Sequence, residues 1–221
     1  MTKNTAFRQL VFGVACAAAV LWGCTYCARP VSIPSPFSQC LARFPSHSNW
    51  PDTLHCFLAD TSAGLSISDT LLKTVLDSAQ FECLHFGTGE PLFFAQARFP
   101  FVEGQTACIL QTEEFWFGKL NLLIFDLRKQ KCLAVTELSH FYGGDGGQTA
   151  SEAWLFRKKT PPLLFVKRAD HWLTVSNTSG EPEEHLHQSG QLFQWDATQF
   201  RVIANPDSLP FLKRYQMHRK W

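Results

Sequence analysis

From Ala107 to Ile203 the chain alternates short apolar or apolar-polar stretches with small groups of turn residues. Such alternation, or a brief apolar run bounded by turn residues, is typical of β-strands. The predicted strands are 107–111, 119–127, 132–138, 153–156, 163–168, 171–177, 191–195 and 200–203. Because these strands follow one another without intervening helices, the pattern favours an antiparallel sheet, such as a sandwich or small barrel, over parallel βαβ units.

Helical spacing of apolar residues is confined to two short stretches. The first follows a potential N-cap at Ser68 or Asp69 and ends near Ala79. Its apolar positions are Leu71, Leu72, Val75 and Leu76. The second covers residues 207–215. The predicted fold class is therefore mainly β, with one or two short helices.

The N-terminal segment has the pattern of an export signal. Lys3 and Arg8 precede an uncharged apolar run from Leu10 to Leu21. This run has the charge and length of a signal-peptide n-region and h-region. It leads directly into the tetrapeptide LWGC, which ends at Cys24.

The tetrapeptide resembles the lipobox of bacterial lipoproteins. Leu21, Gly23 and Cys24 match that motif, whereas Trp22 is bulkier than the pattern prefers. The resemblance implies that the thiol of Cys24 receives a diacylglyceryl group, with fatty acids such as palmitate, and that the chain is cleaved before it. The implied organisation is a signal peptide (1–23), a lipidated cysteine with a proline-containing tether (24–36), and a mainly β globular domain (37–221).

Two other outcomes stay open for the same segment. No charged residue occurs from Gln9 to Ala28, so the run could remain as one membrane-spanning helix, which needs about 20 apolar residues. Cleavage to a free, secreted form is the third outcome. Since all three export the domain, we expect an extracytoplasmic location in the cell envelope, with the lipid as the membrane anchor.

Export gives the remaining cysteines two possible roles. After loss of the signal and lipidation of Cys24, the others are Cys27, Cys40, Cys56, Cys83, Cys108 and Cys132. An even number in an oxidising compartment permits a disulfide framework whose pairing cannot be read from sequence. However, Cys83, Cys108 and Cys132 lie among apolar residues, where a free thiol behaves as a small core side chain.

Composition and charge exclude some partners. The chain carries 20 basic and 19 acidic residues, with a net charge of +1, so no overall field attracts nucleic acid or an anionic lipid surface. The basic cluster at 213–220 is typical of a solvated terminus. We therefore expect no nucleic-acid partner, and we expect membrane contact through the lipid anchor.

Part of the chain, roughly Leu120 to Ile203, is similar to a group of uncharacterised bacterial lipoproteins that are mostly β. The similarity rests on the stretches LNLLIFDL, SHFYGGDGG, SEAWL and LFQWDATQFRVI. The same part distantly resembles the propeller-like hairpins of integrin-type blades, in which an aspartate-rich turn holds calcium. Here the corresponding turn reads FRKKTPP, without a carboxylate, so the resemblance implies no calcium site at this position.

The glycine-rich stretch Gly143 to Gly147 surrounds a single carboxylate, Asp145. A calcium site there would need further oxygen ligands, and Glu137 or Glu152 would supply them only if the fold brought them together. The spacing matches no phosphate-binding glycine motif. We interpret the stretch as a turn between two strands, with Asp145 as a candidate ligand-binding residue.

Histidines and serines offer candidate chemistry without a motif. His185 and His187 would share one face of a strand and could hold a metal with a third ligand, but their polar context indicates an exposed pair in a loop. A triad could be assembled from Ser139 or Ser151, His140 or His171, and Asp145. No nucleophile-elbow motif supports it, so we expect no metal, no cofactor and no recognisable catalytic machinery.

The aromatic residues indicate a binding surface. Three consecutive rings, Phe115, Trp116 and Phe117, cannot all face the inside of a strand, so we predict an exposed patch there. The leading hypothesis is a binding or envelope-interaction module that recognises a protein or glycan, and the alternative is an extracytoplasmic hydrolase with an unrecognised site. Titratable groups converging in one pocket would favour the hydrolase, whereas an exposed aromatic patch would favour the module.

Overall fold

The structure is a computed structural model, and it describes residues 34–46, 49–58, 64–87, 89–144, 146–176 and 180–219. Four short helices lie in this part of the chain. They are α1 (Pro36–Arg43), α2 (Asp69–Lys73), α3 (Ser78–Glu82) and α4 (Leu209–Arg214). Residues 1–33 lie outside it, so the signal peptide, the lipidation site Cys24 and nearly all of the tether stay predictions.

The described residues form one ten-stranded sheet whose strands pair antiparallel. The strands are β1 (Thr53–Cys56), β2 (Leu65–Ser66), β3 (Leu92–Pro100), β4 (Gln105–Glu114), β5 (Phe117–Asp126), β6 (Lys131–Gly144), β7 (Gly147–Phe156), β8 (Leu163–Val175), β9 (Pro182–Trp195) and β10 (Phe200–Ala204). The order is β10-β9-β8-β7-β6-β5-β4-β3-β2, and β1 pairs with β7. The prediction of a mainly β, antiparallel fold is confirmed, and the sheet is not closed into a barrel.

The sheet divides into two halves at the β6–β7 hairpin. β6 pairs with β5 from Lys131 to Phe141, but it pairs with β7 only from His140 to Gly144. The far half of β7, residues 153–156, pairs with β1 instead. The two halves therefore share only the tip of this hairpin, and they separate beyond it.

Three apolar clusters hold the helices and the two halves together. One lies between helices α1 to α3 and strands β3 to β5, and it includes Cys40, Leu72, Leu84, Leu110, Leu123 and Phe125. The second joins the two halves of the sheet, and it includes Ala107, Leu122, Ile124, Leu138, Leu155 and Leu164. In the third, α4 covers the outer face of β7 and β8 through Trp154, Phe165 and Leu212.

The C-terminal helix is also held by a buried cation. Lys167 on β8 is buried, and its ammonium donates to the carbonyls of Leu212 at 3.0 Å and Tyr215 at 3.1 Å. The carbonyl of Leu212 also accepts the amide of Tyr215 at 3.3 Å, so the cation is a second donor there and complements the helix dipole. The pKa of Lys167 is lowered by burial, which the nearby charge of Glu152 partly offsets.

Several sequence predictions were wrong in detail. The helix predicted from Ser68 to Ala79 is two short helices, because Asp77 caps a new helix through the amide of Gln80. The strands predicted at 163–168 and 171–177 are one strand, β8. The loop predicted around His185 and His187 is the first half of β9, because β8 extends beside it and pairs with it residue by residue.

The five cysteines among the described residues are free thiols. Four are buried, namely Cys40, Cys56, Cys108 and Cys132, which confirms the interpretation of Cys108 and Cys132 as core side chains. Cys83 was predicted to be a core residue, but it follows the last residue of α3 and is exposed. None of the helices that the structure describes has both the length and the apolar character of a membrane span.

Candidate functional site

The predicted aromatic patch lies on the two-residue turn between β4 and β5. Phe115 and Trp116 form this turn, and their side chains are 75% and 68% exposed. Phe115 has a φ of 56°, in the left-handed region, where two-residue turns usually place glycine. Phe117, the first residue of β5, is half-buried, so two of the three predicted rings face solvent.

A buried carboxylate fixes the position of this turn. Glu114, the residue before Phe115, is 1% exposed and accepts hydrogen bonds from the amides of Phe86 at 3.0 Å and Gly89 at 2.5 Å. The ring of Phe115 lies directly on Gly89, since a Cβ added there would be 2.6 Å from its Cε2 atom. Phe86 and Gly89 thus support the exposed aromatic turn from one side.

The glycine-rich stretch lies next to the aromatic turn. The indole nitrogen of Trp116 donates to the carbonyl of Gly143 at 2.9 Å, and the rings of Phe117 and Tyr142 are 6.0 Å apart. Gly144 pairs with Gly147 across the β6–β7 turn, which confirms the interpretation of a turn between two strands. Asp145 itself lies outside the described residues, and Glu137 and Glu152 form no metal-binding group within them.

A third hairpin ends at the same end of the sheet. Successive antiparallel strands place the β4–β5, β6–β7 and β8–β9 turns on one side. The large apolar side chains exposed there are Phe115, Trp116, Tyr142, Trp172, Leu173, Val175 and Leu186. We call this surface the aromatic end.

The histidines of the β8–β9 hairpin form pairs rather than a metal site. His185 lies opposite Trp172 and stacks on it with ring centroids 5.3 Å apart, and its Nε2 atom is 2.7 Å from the hydroxyl of Thr174. His187 is opposite Asp170 and exposed. No group of three metal-ligating side chains occurs anywhere in the part of the chain that the structure describes.

A row of polar side chains crosses the sheet from β4 to β9. Each is the direct cross-strand partner of the next: Thr112, Lys119, His140, Ser151, Arg168 and Ser189. Direct partners in antiparallel strands project from the same face. The row therefore joins residues far apart in sequence into one polar stripe, which we call the polar row.

Part of the polar row lines a cleft of about 510 Å³. Its polar walls are Glu137, His140, Ser151, Arg168, Ser189, Gln191, Asn205 and Asp207. We call it the polar cleft. It lies where β6 separates from β7, and Val166 and Gly190 complete its lining.

Three residues in the polar cleft resemble a triad but are not arranged as one. The Nδ1 atom of His140 is 2.5 Å from a carboxylate oxygen of Glu137 and 3.0 Å from the hydroxyl of Ser151. A catalytic histidine holds its acid on one ring nitrogen and its nucleophile on the other. Ser151 also accepts a hydrogen bond from the amide of His140 at 2.9 Å, and it is buried.

Charges near the polar cleft are paired. Burial tends to raise the pKa of Glu137, but hydrogen bonding to His140 and the charge of Lys119, 3.5 Å away, lower it overall. Arg168 and Asp170 form an ion pair at 2.9 Å. Burial tends to raise the pKa of Asp170, but hydrogen bonds from Arg168 and Thr149 lower it overall. The same bond to Asp170 raises the pKa of Arg168.

Glu152, a candidate ligand in the sequence, has a structural role. It is buried on β7, accepts hydrogen bonds from the amides of His218 and Arg219, and lies 2.7 Å from His55 on β1. It thereby fastens the C-terminal tail to the sheet. The side chain of His171, the other histidine considered for a triad, lies 2.7 Å from the carboxylate of Glu184.

Comparison with known proteins identified no family for this chain. No protein-family model matches the chain, and neither a curated protein nor a solved structure matches it. The sequence predicted the exposed aromatic patch but not the polar cleft, whose local signal is a polar residue, such as Ser151 or Arg168, within an otherwise apolar strand.

Proposed function

We propose that the protein is an exported, lipid-anchored binding module that contacts a protein partner through the aromatic end. One observation carries this proposal: Phe115 occupies a glycine-type turn position, with its ring in solvent. The left-handed region costs a residue with a Cβ about 1–2 kcal/mol. A glycine would avoid this cost and would expose no apolar ring. We therefore expect the ring of Phe115 to contact a partner rather than to stabilise the fold.

The shape of the aromatic end favours a protein over a flat ligand. The ring planes of Phe115 and Trp116 are inclined at 54°, and those of Trp116 and Phe117 at 64°. Tilted rings offer a ridge that fits a groove, whereas stacking on a sugar needs a broad flat face. Aromatic residues in the centre of a contact surface contribute a large share of binding energy.

The anchoring part of the proposal rests on the resemblance of residues 21–24 to a lipobox. Its test is the intact mass of the full chain expressed in a bacterial host, compared with a Cys24→Ala variant. A mature chain starting at Cys24 with added acyl mass is expected, and the variant should lack both changes. A retained Met1 in the wild type would overturn lipidation and favour an uncleaved helix.

The contact surface is tested by site-specific photo-cross-linking in cells. A photoreactive residue replaces Trp116, and a matched control replaces Val202, which is exposed on the edge strand β10. We expect a discrete protein adduct from position 116 alone, and its loss when Phe115→Gly is added. An equal adduct from position 202, or one that Phe115→Gly leaves unchanged, would contradict the proposal.

A second candidate, an extracytoplasmic hydrolase, is favoured by one observation: Glu137, His140 and Ser151 meet in the polar cleft. The shared use of Nδ1 and the buried hydroxyl weigh against it. Hydrolysis of p-nitrophenyl acetate by the wild type that is abolished in both Ser151→Ala and His140→Ala would support the hydrolase. Equal rates in all three proteins would reject it.

A further inference from the structure

The region where the polar row meets the polar cleft contains buried polar atoms without hydrogen-bond partners. Among the described residues, the Thr112 hydroxyl, both polar atoms of the Asn121 amide, and Nε2 of His140 lack a partner. Thr112 and Asn121 are 0% and 1% exposed. A buried polar group without a partner costs about 1–3 kcal/mol, so such groups usually mark bound water or a ligand.

The strand register places these atoms beside the cleft. Asn121 is the direct cross-strand partner of Glu137, and Thr112 is separated from His140 in the polar row only by Lys119. Glu137 and His140 both line the polar cleft. His140 therefore brings one unsatisfied atom to the lining of the cleft, and Asn121 lies beside Glu137 on the same face of the sheet, with Thr112 two strands away from His140.

The chemistry of the cleft favours a ligand without net charge. Lys119 is paired with Glu137, and Arg168 with Asp170, so the two cations are already neutralised. A phosphate or another polyanion would have to compete with these carboxylates and would approach the further carboxylate of Asp207. Unpaired cations, which recognise such anions, are not among the residues that line it.

The polar groups also match hydroxyl groups in kind. A hydroxyl both donates and accepts, and the cleft offers amides at Gln191 and Asn205, a hydroxyl at Ser189 and carboxylates at Glu137 and Asp207. Its volume, about 510 Å³, lies within the range of small-molecule sites. Tyr142, 40% exposed with its ring centroid 5.6 Å from that of His140, adds an apolar face beside it.

We propose that the polar cleft binds a neutral saccharide, of the size of a mono- or disaccharide. Hydroxyl groups of the sugar reach the polar row and the unsatisfied amide of Asn121, and the ring of Tyr142 contacts the C–H face of the sugar. Tyr142 belongs to both the saccharide site and the aromatic end, but the two sites are tested separately, because Arg168 and Ser189 line the cleft and Phe115 and Trp116 do not.

The test uses the full chain and a defined set of probes. Glucose, galactose, mannose, N-acetylglucosamine and cellobiose are titrated separately, with inorganic phosphate as the charged comparison, and binding is followed by saturation-transfer NMR and calorimetry. We expect at least one sugar to bind with a dissociation constant at or below the millimolar range, about −4 kcal/mol, and phosphate not to bind.

Variants locate the binding. Arg168→Met and Ser189→Ala should each weaken sugar binding about tenfold, equivalent to about 1.4 kcal/mol. Asn121→Leu should weaken it similarly while keeping or raising the melting temperature, because it removes two buried groups that have no partner. Phe115→Gly and Val202→Ser are the controls and should leave sugar binding unchanged.

Each outcome has a clear meaning. Failure of every sugar to bind at millimolar concentration, tighter binding of phosphate, or binding that the cleft variants leave unchanged would overturn the proposal. Ser189→Ala, at the rim of the cleft, keeps the test valid if Asn121→Leu or Arg168→Met fails to fold. Absence of any discrete protein adduct at position 116 in the otherwise wild-type chain, with sugar binding intact, would reject the protein partner alone.

Discussion

Replacing Glu152 by alanine is expected to destabilise the protein strongly and to release its C-terminal tail. The side chain is 4% exposed and has three partners: Nε2 of His55 at 2.7 Å, and the amides of His218 at 2.8 Å and Arg219 at 3.0 Å. Hydrogen bonds to a charged group contribute about 1.5–3 kcal/mol each, and removing one member of a buried pair costs about 3–5 kcal/mol. We therefore expect Glu152→Ala to lower the free energy of unfolding by about 3–5 kcal/mol.

The assay combines urea unfolding with limited proteolysis. Glu152→Gln keeps the side-chain volume and one acceptor oxygen, so its free energy of unfolding should lie between those of the wild type and Glu152→Ala. Glu183→Ala, an exposed carboxylate on β9, is the matched control and should change stability by less than about 0.5 kcal/mol. Arg219 lies over the ring of Phe141 at 3.9 Å, and cleavage of the tail near this residue should become faster in Glu152→Ala.

The same carboxylate should make stability depend on pH. Burial works to raise the pKa of Glu152, but hydrogen bonds from His55 and from the two tail amides lower it overall. A carboxyl with a lowered folded pKa contributes stability that is present above its unfolded value, about 4.3, and is lost as the pH falls through the folded pKa. The difference between wild type and Glu152→Ala should therefore shrink below about pH 4.

Two results would refute this reasoning. A loss of less than about 1 kcal/mol for Glu152→Ala at pH 7 would mean that the tail amides find other partners or are not held in solution. A pH profile in which wild type and variant stay parallel down to acid pH would mean that the pKa of Glu152 is not lowered by folding.

Three further predictions concern other contacts. Lys167→Met should loosen α4 and cost about 2–3 kcal/mol in urea unfolding, because the carbonyls of Leu212 and Tyr215 lose a charged donor and that of Leu212 keeps only the Tyr215 amide. A loss equal to that of an exposed Lys213→Met would contradict it. Gly89→Ala should displace the ring of Phe115 with a stability change below about 1 kcal/mol, and should weaken the position-116 cross-link; an unchanged cross-link would contradict it. Iodoacetamide at pH 8 should alkylate Cys83 in the native protein, as read by peptide mass spectrometry. It should react much more slowly with Cys40, Cys56 and Cys132, because burial raises the pKa of these thiols to about 12. Alkylation of all four thiols at similar rates would contradict the buried positions of these three.

Local patterns in the sequence were sufficient for much of the sheet. The predicted strands at 107–111, 119–127, 153–156 and 200–203 lie within or overlap β4, β5, β7 and β10. They were recognisable because alternation with period two, bounded by turn residues, depends only on neighbours along the chain. The aromatic turn was found for the same reason, since three adjacent rings cannot share one face of a strand.

Strands that depend on a distant partner were harder to predict. The first half of β9 has a polar, charged sequence around Glu183 and Glu184, yet it is a strand because β8 extends beside it and pairs with it up to Val175. The strands β1 and β3 escaped prediction as well; β1 pairs with β7 about a hundred residues later in the chain. Backbone pairing of this kind overrides local propensity.

The sequence by itself determined that the chain is mainly β and that part of the aromatic stretch from Phe115 to Phe117 faces solvent. Only the tertiary structure decided that His140, Ser151 and Arg168, each separated by a hairpin, stand side by side in one polar row. The physical reason is strand register: a shift of one residue in any pair would turn these side chains to the opposite face, and nothing local to each strand specifies that register.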